Sequence, residues 1–271
     1  MPLRGVLTVQ MAMPSEVLAQ ISDLLLTHFG NRETILSVDP VGEGANARGH
    51  FVVNAASGNH YGLKLPVRGV PFGLEKEHLM ATLACTLDAP NACPVAQTDR
   101  LDFIDLFRGK TVNVTHWLAG SKQVRQLSEE ERRLVRSGPD STVFRNQAGE
   151  WMAFGLLFGI GDRHPGNWVW APAEKKLAMI DMEQSLEQGE LAHYTWLLDY
   201  VERENARTLK LKSAEIRDLY DGYSQMLAKH AAQKSMVEGL LEANDFSKGF
   251  KSAYAERAPE EVLSNFLLAL G

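Results

Sequence analysis

The chain has 271 residues, of which 45% are hydrophobic and 23% charged, with 22 glycines and 11 prolines. That is an ordinary globular composition with room for one large domain or two lobes, and it excludes collagen-like, low-complexity and wholly disordered classes. Twenty-eight Lys and Arg against 34 Asp and Glu leave a net charge of −6, so there is no general attraction to phosphate backbones and no nucleic-acid partner is expected. Cys85 and Cys93 are too few for a disulfide framework or a zinc site and read as reduced thiols. The first 13 residues lack the apolar run and cleavage site of a signal peptide. Trp151 to Ile160, the longest apolar stretch, falls short of the ~20 residues of a membrane helix. A cytoplasmic chain with no transmembrane segment is expected, with export as a secreted effector left open.

Taken in chain order, Pro14 to Phe29 places Val17, Leu18, Ile21, Leu24, Leu25 and Phe29 at helical spacing, and Gly30-Asn31 stops the helix. The period then changes. Thr34 to Val38, Phe51 to Asn54 and Tyr61 to Leu65 read as short strands, the first two joined by a glycine-rich turn over 42–49 and the last two by Ser57-Gly58-Asn59-His60. Leu74 to Leu87 follows as a helix, and Leu101 to Phe107 and Thr111 to Leu118 as two more strands. After Gly120 the chain turns mainly helical. Ser128 to Glu131 is a capping box, Gln147 to Ile160 a buried helix, and Leu191 to Glu204, Ala214 to Gln233 and Glu260 to Leu270 are tail helices. Ile216, Leu219, Tyr220, Tyr223, Met226 and Leu227 form one stripe that reads as core. The basic runs Lys122 to Arg136 and Arg203 to Lys212 read as solvated faces.

The chemistry concentrates in Gly161-Asp162-Arg163-His164-Pro165-Gly166-Asn167-Trp168-Val169-Trp170 and Leu177-Ala178-Met179-Ile180-Asp181. The two apolar runs predict a hairpin; pairing Val169 with Met179 sets Asn167 opposite Asp181 at its open end. An Asn carbonyl and an Asp carboxylate are hard oxygen donors suited to Mg²⁺, which takes its remaining ligands from water and nucleotide phosphates. Asp162, five residues before Asn167, sits where it can orient an attacking hydroxyl and accept its proton. Trp168 and Trp170 read as core anchors of the hairpin, and Lys64, alternating with Leu63 and Leu65, lies with Gly62 on the face away from them.

Gly-Asp-Arg-His-x-x-Asn resembles the catalytic loop of phosphatidylinositol 3- and 4-kinases, and Asp-Arg-His-x-x-Asn that of HipA-type kinases. The likeness is specific over roughly 150–186. It implies an α+β, two-lobed protein-kinase-like fold: residues 1–118 as an N-lobe of antiparallel sheet plus helix, and 119–271 as a mainly helical C-lobe. It further implies ATP and Mg²⁺ as cofactors between the lobes. By the same resemblance Gly42, Gly44 and Asn46 belong to a phosphate-cradling turn, and Lys64 pairs with phosphates while Glu77, or its neighbour Glu75, holds it. Glu77 is preferred because Leu79, Met80 and Leu83 leave it facing outward from the core. Thr115, His116, Trp117 and Leu118 form a hinge for an adenine edge. Asp162 is the catalytic base or orienter with Arg163 and His164 beside it, and Asn167 and Asp181 bind metal.

The chain departs from the common kinases in three places. Four residues separate the second and third glycines of the turn, Met182-Glu183 stands where Phe-Gly is usual, and a helix at Leu191 leaves no long activation segment. The expectation is an ATP/Mg²⁺-dependent phosphotransferase acting on a hydroxyl of a protein Ser or Thr. The alternatives are a lipid or small-molecule acceptor, adenylyl transfer, or a pseudokinase interaction module.

Overall fold

The structure is a computed structural model that describes residues 15–40, 50–66, 70–98, 110–161, 163–187, 213–254, 257–258, 260–262 and 264–265. Its class is α+β. By internal contact the chain divides into one unit of residues 1–65 with 96–116 and a second of 66–95 with 117–271.

The first unit is a five-stranded antiparallel sheet backed by a helix. Strands β1 (Ile35–Pro40), β2 (His50–Ala55), β3 (His60–Lys64), β4 (Val95–Thr98) and β5 (Val112–His116) are ordered β1-β2-β3-β5-β4. Helix α1 (Ser15–Phe29) turns Val17, Ile21 and Leu25 inward, where they meet Ile35, Val38, Val53, Tyr61, Leu63, Leu65, Val112 and Val114 in one core. Period-2 alternation puts those strand residues on one face and Gly62, Lys64, Asn113 and Thr115 on the other. The β2–β3 turn is the expected one, with Gly58 at φ 87°. The strand expected over 101–107 lies outside the described residues; the member of the sheet beside β5 is Val95–Thr98.

In the second unit lie helix α2 (Gly73–Thr86), strand β6 (Lys122–Gln123), a 3-10 turn (Val124–Gln126), α3 (Glu129–Ser137), α4 (Ser141–Leu157), the hairpin strands β7 (Trp168–Ala171) and β8 (Lys176–Met179), α5 (Ser213–Ala232) and α6 (Lys234–Glu242). The expected capping box starts α3. Glu131 N–H donates to Ser128 Oγ at 3.2 Å and Ser128 N–H to the Glu131 carboxylate at 2.8 Å. Lys122 joins that carboxylate at 2.7 Å, and these hydrogen bonds, Lys122 first, hold the carboxyl at about 2. The helix expected at Ala214 to Gln233 ends at Ala232, and α6 follows it directly. The segment expected as a helix over 191–204 lies outside the described residues.

Helices α4 and α5 cross at near backbone contact. A Cβ on Gly149 would stand 2.1 Å from the Leu219 carbonyl oxygen, and one on Gly222 would stand 1.9 Å from that of Asn146. Each glycine thus faces the other helix's backbone, which no larger residue permits. The stripe read from the sequence fills the core beside them, with Leu219, Tyr223 and Met226 buried and Tyr220 and Leu227 packed at its margin. Both thiols are free, and burial pushes Cys93 up to about 12.

Gly149→Ala is expected to lower unfolding stability by about 3 kcal/mol. Gly239, which has nothing within 4 Å of an added Cβ and sits inside α6, is expected to gain about 0.5–1 kcal/mol as Gly239→Ala. Urea unfolding midpoints of the two variants check both signs.

Candidate active site

The hairpin forms, one register away from expectation. Trp168 pairs with Met179, Val169 with Ala178, Trp170 with Leu177 and Ala171 with Lys176. Ile180 N–H then donates to the Asn167 carbonyl at 3.0 Å, so Ile180 and not Asp181 stands opposite Asn167. The connecting loop closes on Lys175 at φ 56°, one residue earlier than expected. Side-chain parity explains the choice: this register puts Trp168, Trp170, Leu177 and Met179 on one face within the main core. Val169 and Ala178 lie on the other face with Cys93. The expected register would have set Trp168 opposite Ile180 and divided that set.

Helix α4 anchors the hairpin from below. Trp151 Nε1–H donates to the Leu177 carbonyl at 3.1 Å, and Gln147 Oε1 accepts the Leu177 N–H at 2.7 Å. The chain leaving α4 is also paired with the chain leaving β8. Leu186 N–H donates to the Phe158 carbonyl at 2.8 Å, Glu187 N–H to that of Gly159 at 3.2 Å, and Gly161 N–H to that of Gln184 at 2.7 Å. Gly159 is required there: at φ +56° its added Cβ would lie 1.8 Å from the Glu187 oxygen.

Arg163 completes the connection from inside the protein. Fully buried at 0% exposure, its guanidinium donates to the carbonyls of Gly161 at 2.7 Å, Ile180 at 3.0 Å and Asp181 at 2.5 Å. The side chain expected beside the chemistry is therefore a clamp between the stretch leading to Asn167 and the Asp181 loop. His164 Nδ1 accepts the Gly166 N–H at 2.9 Å, which leaves its Nε2 as the donor in the neutral ring. A Cβ on Gly166 would strike that ring at 2.7 Å. Asn167, 5% exposed, ends the 3-10 turn Pro165–Asn167, and Asp181 follows β8 in the left-handed region at φ 57°. Both lie at the same end of the hairpin. Asp162 lies outside the described residues, as do Gly42, Gly44 and Asn46.

Among the described residues no group of three or more His, Cys, Asp or Glu gathers as a metal cluster. An amide and a carboxylate at the hairpin end are an oxygen-only donor pair. They fit Mg²⁺, which keeps several water or phosphate ligands, and do not suit a thiophilic metal.

In the first unit Lys64 is 8% exposed on the sheet face opposite the apolar core, paired with His50 and Asn113. Thr115 shares that face, opposite Gly62, and is buried. The division between units falls between His116 and Trp117, inside the expected hinge. His116 stacks on Tyr61 with ring centres 4.7 Å apart, and burial holds its pKa below the usual histidine range against the pull of Glu33. Glu33 accepts from Ser57 at 2.7 Å, Asn59 at 2.7 Å and Tyr61 at 2.9 Å. Burial raises the Glu33 pKa, and these donors outweigh it to leave a net lowering. Burial, with this carboxylate, pushes the Tyr61 phenol up to about 12. The His116 ring thus serves the sheet core, and its backbone is what a hinge would offer. Trp117 and Leu118 are half-buried, and Leu118 packs beside Cys93 and Val169.

On α2, Glu77 is buried and Glu75 exposed, so the acid expected to face out from the core is the one enclosed by protein. The sequence did not signal the Arg163 clamp or the Gly159 contact; the spacing Gly159-Ile160-Gly161 was the available sign of a close backbone approach.

The order of elements in the chain is the one that the resemblance implies: strands on either side of the glycine turn, a lysine-bearing strand, an acid-bearing helix, then a helical unit carrying the hairpin. No family model and no curated sequence matches the chain. Among solved structures it is similar to a Helicobacter pylori proinflammatory kinase, CtkA, at 14% identity over 86% of this chain and 93% of that one, TM-score 0.47. It is also similar to WaaP in complex with acyl carrier protein, at 13% identity over 83% and 94%, TM-score 0.41. The FAT and kinase domain of CtTel1 matches at 9% identity over 97% of this chain and 22% of that one, TM-score 0.44.

Arg163→Lys keeps the charge but cannot reach three carbonyls at once. It is expected to cost about 3 kcal/mol in urea unfolding; a midpoint equal to wild type would show that the clamp carries no stability.

Proposed function

We propose that the chain is an ATP- and Mg²⁺-dependent phosphotransferase acting on a hydroxyl, with a protein Ser or Thr as the acceptor. The observation that carries this reading is the buried Arg163 clamp, which fixes the catalytic loop against the loop of Asp181. Asn167 and Asp181, at the same end of the hairpin, are the residues that would hold the metal. Mg²⁺ bound there would offset charge on the nucleotide's β- and γ-phosphate oxygens. Lys64, a buried cation on the polar face of its strand, would meet the α- and β-phosphates, with Glu77 as the acid that orients it. The backbone of 115–118 would receive the adenine edge, and the turn with Gly42, Gly44 and Asn46 would cover the phosphates.

Asp162 would orient the acceptor hydroxyl and take its proton as the new O–P bond forms and the bond from the γ-phosphorus to its bridging oxygen breaks, ADP leaving. His164, with Nδ1 occupied by the Gly166 amide, would present its Nε2–H as a donor to phosphate oxygen. A protein acceptor is favoured over a lipid surface because the basic run from Lys122 carries its own acids, Lys122 meeting Glu131 at 2.7 Å.

The test is intact-protein mass after incubation with ATP and Mg²⁺, with and without generic protein acceptors, for wild type, Asp162→Ala and Asp181→Ala. A phosphoryl-sized addition to wild type or acceptor, lost in both variants, is expected. An adenylyl-sized addition would overturn the reaction while keeping the nucleotide site, and no addition together with no ATP-induced thermal shift would favour the pseudokinase.

A further inference from the structure

Helix α2 begins without a side-chain cap of its own. The residue ahead of it, Phe72, is left-handed at φ 56° and its side chain gives no capping hydrogen bond; Phe72 is 57% exposed and its ring stacks on Phe246 at 5.7 Å. The first amides of a helix have no acceptor within it; here Gly73 N–H turns back to the Val70 carbonyl at 3.3 Å, and Gly73 and Leu74 are buried. The side chain of Glu183 lies against this turn. A Cβ on Gly73 would stand 3.5 Å from Glu183 Cβ and 3.6 Å from its Oε2, and Glu183 is 7% exposed. A second acid from the same segment, Glu187, reaches Lys76 of that helix at 3.6 Å. The segment itself is tied to residues 158–161 by the backbone bonds of Gly161, Leu186 and Glu187.

We propose that Glu183 is a positioning residue: its carboxylate, two residues beyond Asp181, caps α2 and couples the order of that helix's first turn to the Asp181 loop. A negative group at a helix N-terminus is stabilised by the aligned peptide dipoles and orphan amides. Glycine, which common kinases carry at this place, could not supply one. Glu77 lies one turn into the same helix, so the cap fixes the position of the acid expected to orient Lys64. The roles of Asp181 and Glu77 rest on the kinase reading above; the cap itself does not.

The experiment is amide hydrogen exchange by mass spectrometry on the full chain as wild type, Glu183→Ala and Glu183→Gln, without nucleotide and with ATP and Mg²⁺. Without nucleotide, residues 74–77 are expected to exchange about tenfold faster in the alanine variant. Glutamine, which keeps an acceptor oxygen but no charge, should fall between, with the peptides of α4 and α5 unchanged. Adding ATP and Mg²⁺ should slow exchange at 74–77 in wild type and leave the alanine variant unaffected. Equal exchange at 74–77 in all three proteins would overturn the cap, as would acceleration spread evenly over the second unit. Nucleotide protection retained in Glu183→Ala would overturn the coupling. If ATP protects no part of the wild type, the kinase reading and the coupling fall together, while the nucleotide-free comparison still decides the cap. Should the alanine variant not fold, the glutamine variant carries the same comparison.

Discussion

A guanidinium buried in protein is costly unless its nitrogens find acceptors, and each of the three nitrogens of Arg163 donates to a backbone carbonyl. Those carbonyls belong to two different stretches, Gly161 after α4 and Ile180-Asp181 at the exit of β8. A planar fork of fixed geometry can satisfy them only when the stretches stand in one arrangement. The backbone bonds between 158–161 and 184–187 repeat the constraint further along. Asn167 and Asp181, the residues proposed to hold the metal, thus lie beside stretches whose arrangement is fixed, a condition for holding oxygen donors ready for a metal-bound nucleotide.

The support below those loops is correspondingly tight. Gly149 and Gly222 bring α4 and α5 to near backbone contact, so α4 is held from one side while Trp151 and Gln147 grip β8 from the other. Phe144 meets Trp170 edge-on at 5.3 Å, and Glu150, buried on the same helix, is matched by Lys229 of α5 at 2.7 Å. Burial raises the Glu150 pKa, with Lys229 opposing it. A buried carboxylate with a direct cationic partner fixes which way the two helices face, a role hydrophobic contact alone fills less specifically.

Much of this was legible in the sequence because periodicity reports burial directly. The apolar spacing of α1, the alternation in β2 and β3, the stripe on α5 and the Ser128–Glu131 cap all became what their patterns implied. The residues proposed as metal ligands, Asn167 and Asp181, and Lys64 stand out in the sequence as residue types at fixed spacing. The hairpin register was not. Pro172 to Lys175 do not specify from type alone whether the loop holds four residues or five, and the register was decided by which tryptophans could share a core. Arg163 stands in the sequence only as a neighbour of Asp162, while its position is set by backbone carbonyls that sequence does not mark. Glycines 149 and 222 carry no local turn signal, since each lies inside a helix and answers to another helix far along the chain.

The most direct test of the central claim is calorimetric titration of ATP into wild type, Asn167→Ala and Asp181→Ala, with Mg²⁺ and with EDTA. The account predicts that wild type binds ATP at least about tenfold more tightly with Mg²⁺, and that each substitution abolishes this metal dependence while urea unfolding stays within about 1 kcal/mol of wild type. ATP affinity that is independent of Mg²⁺ in wild type, or unchanged metal dependence in both variants, would contradict it.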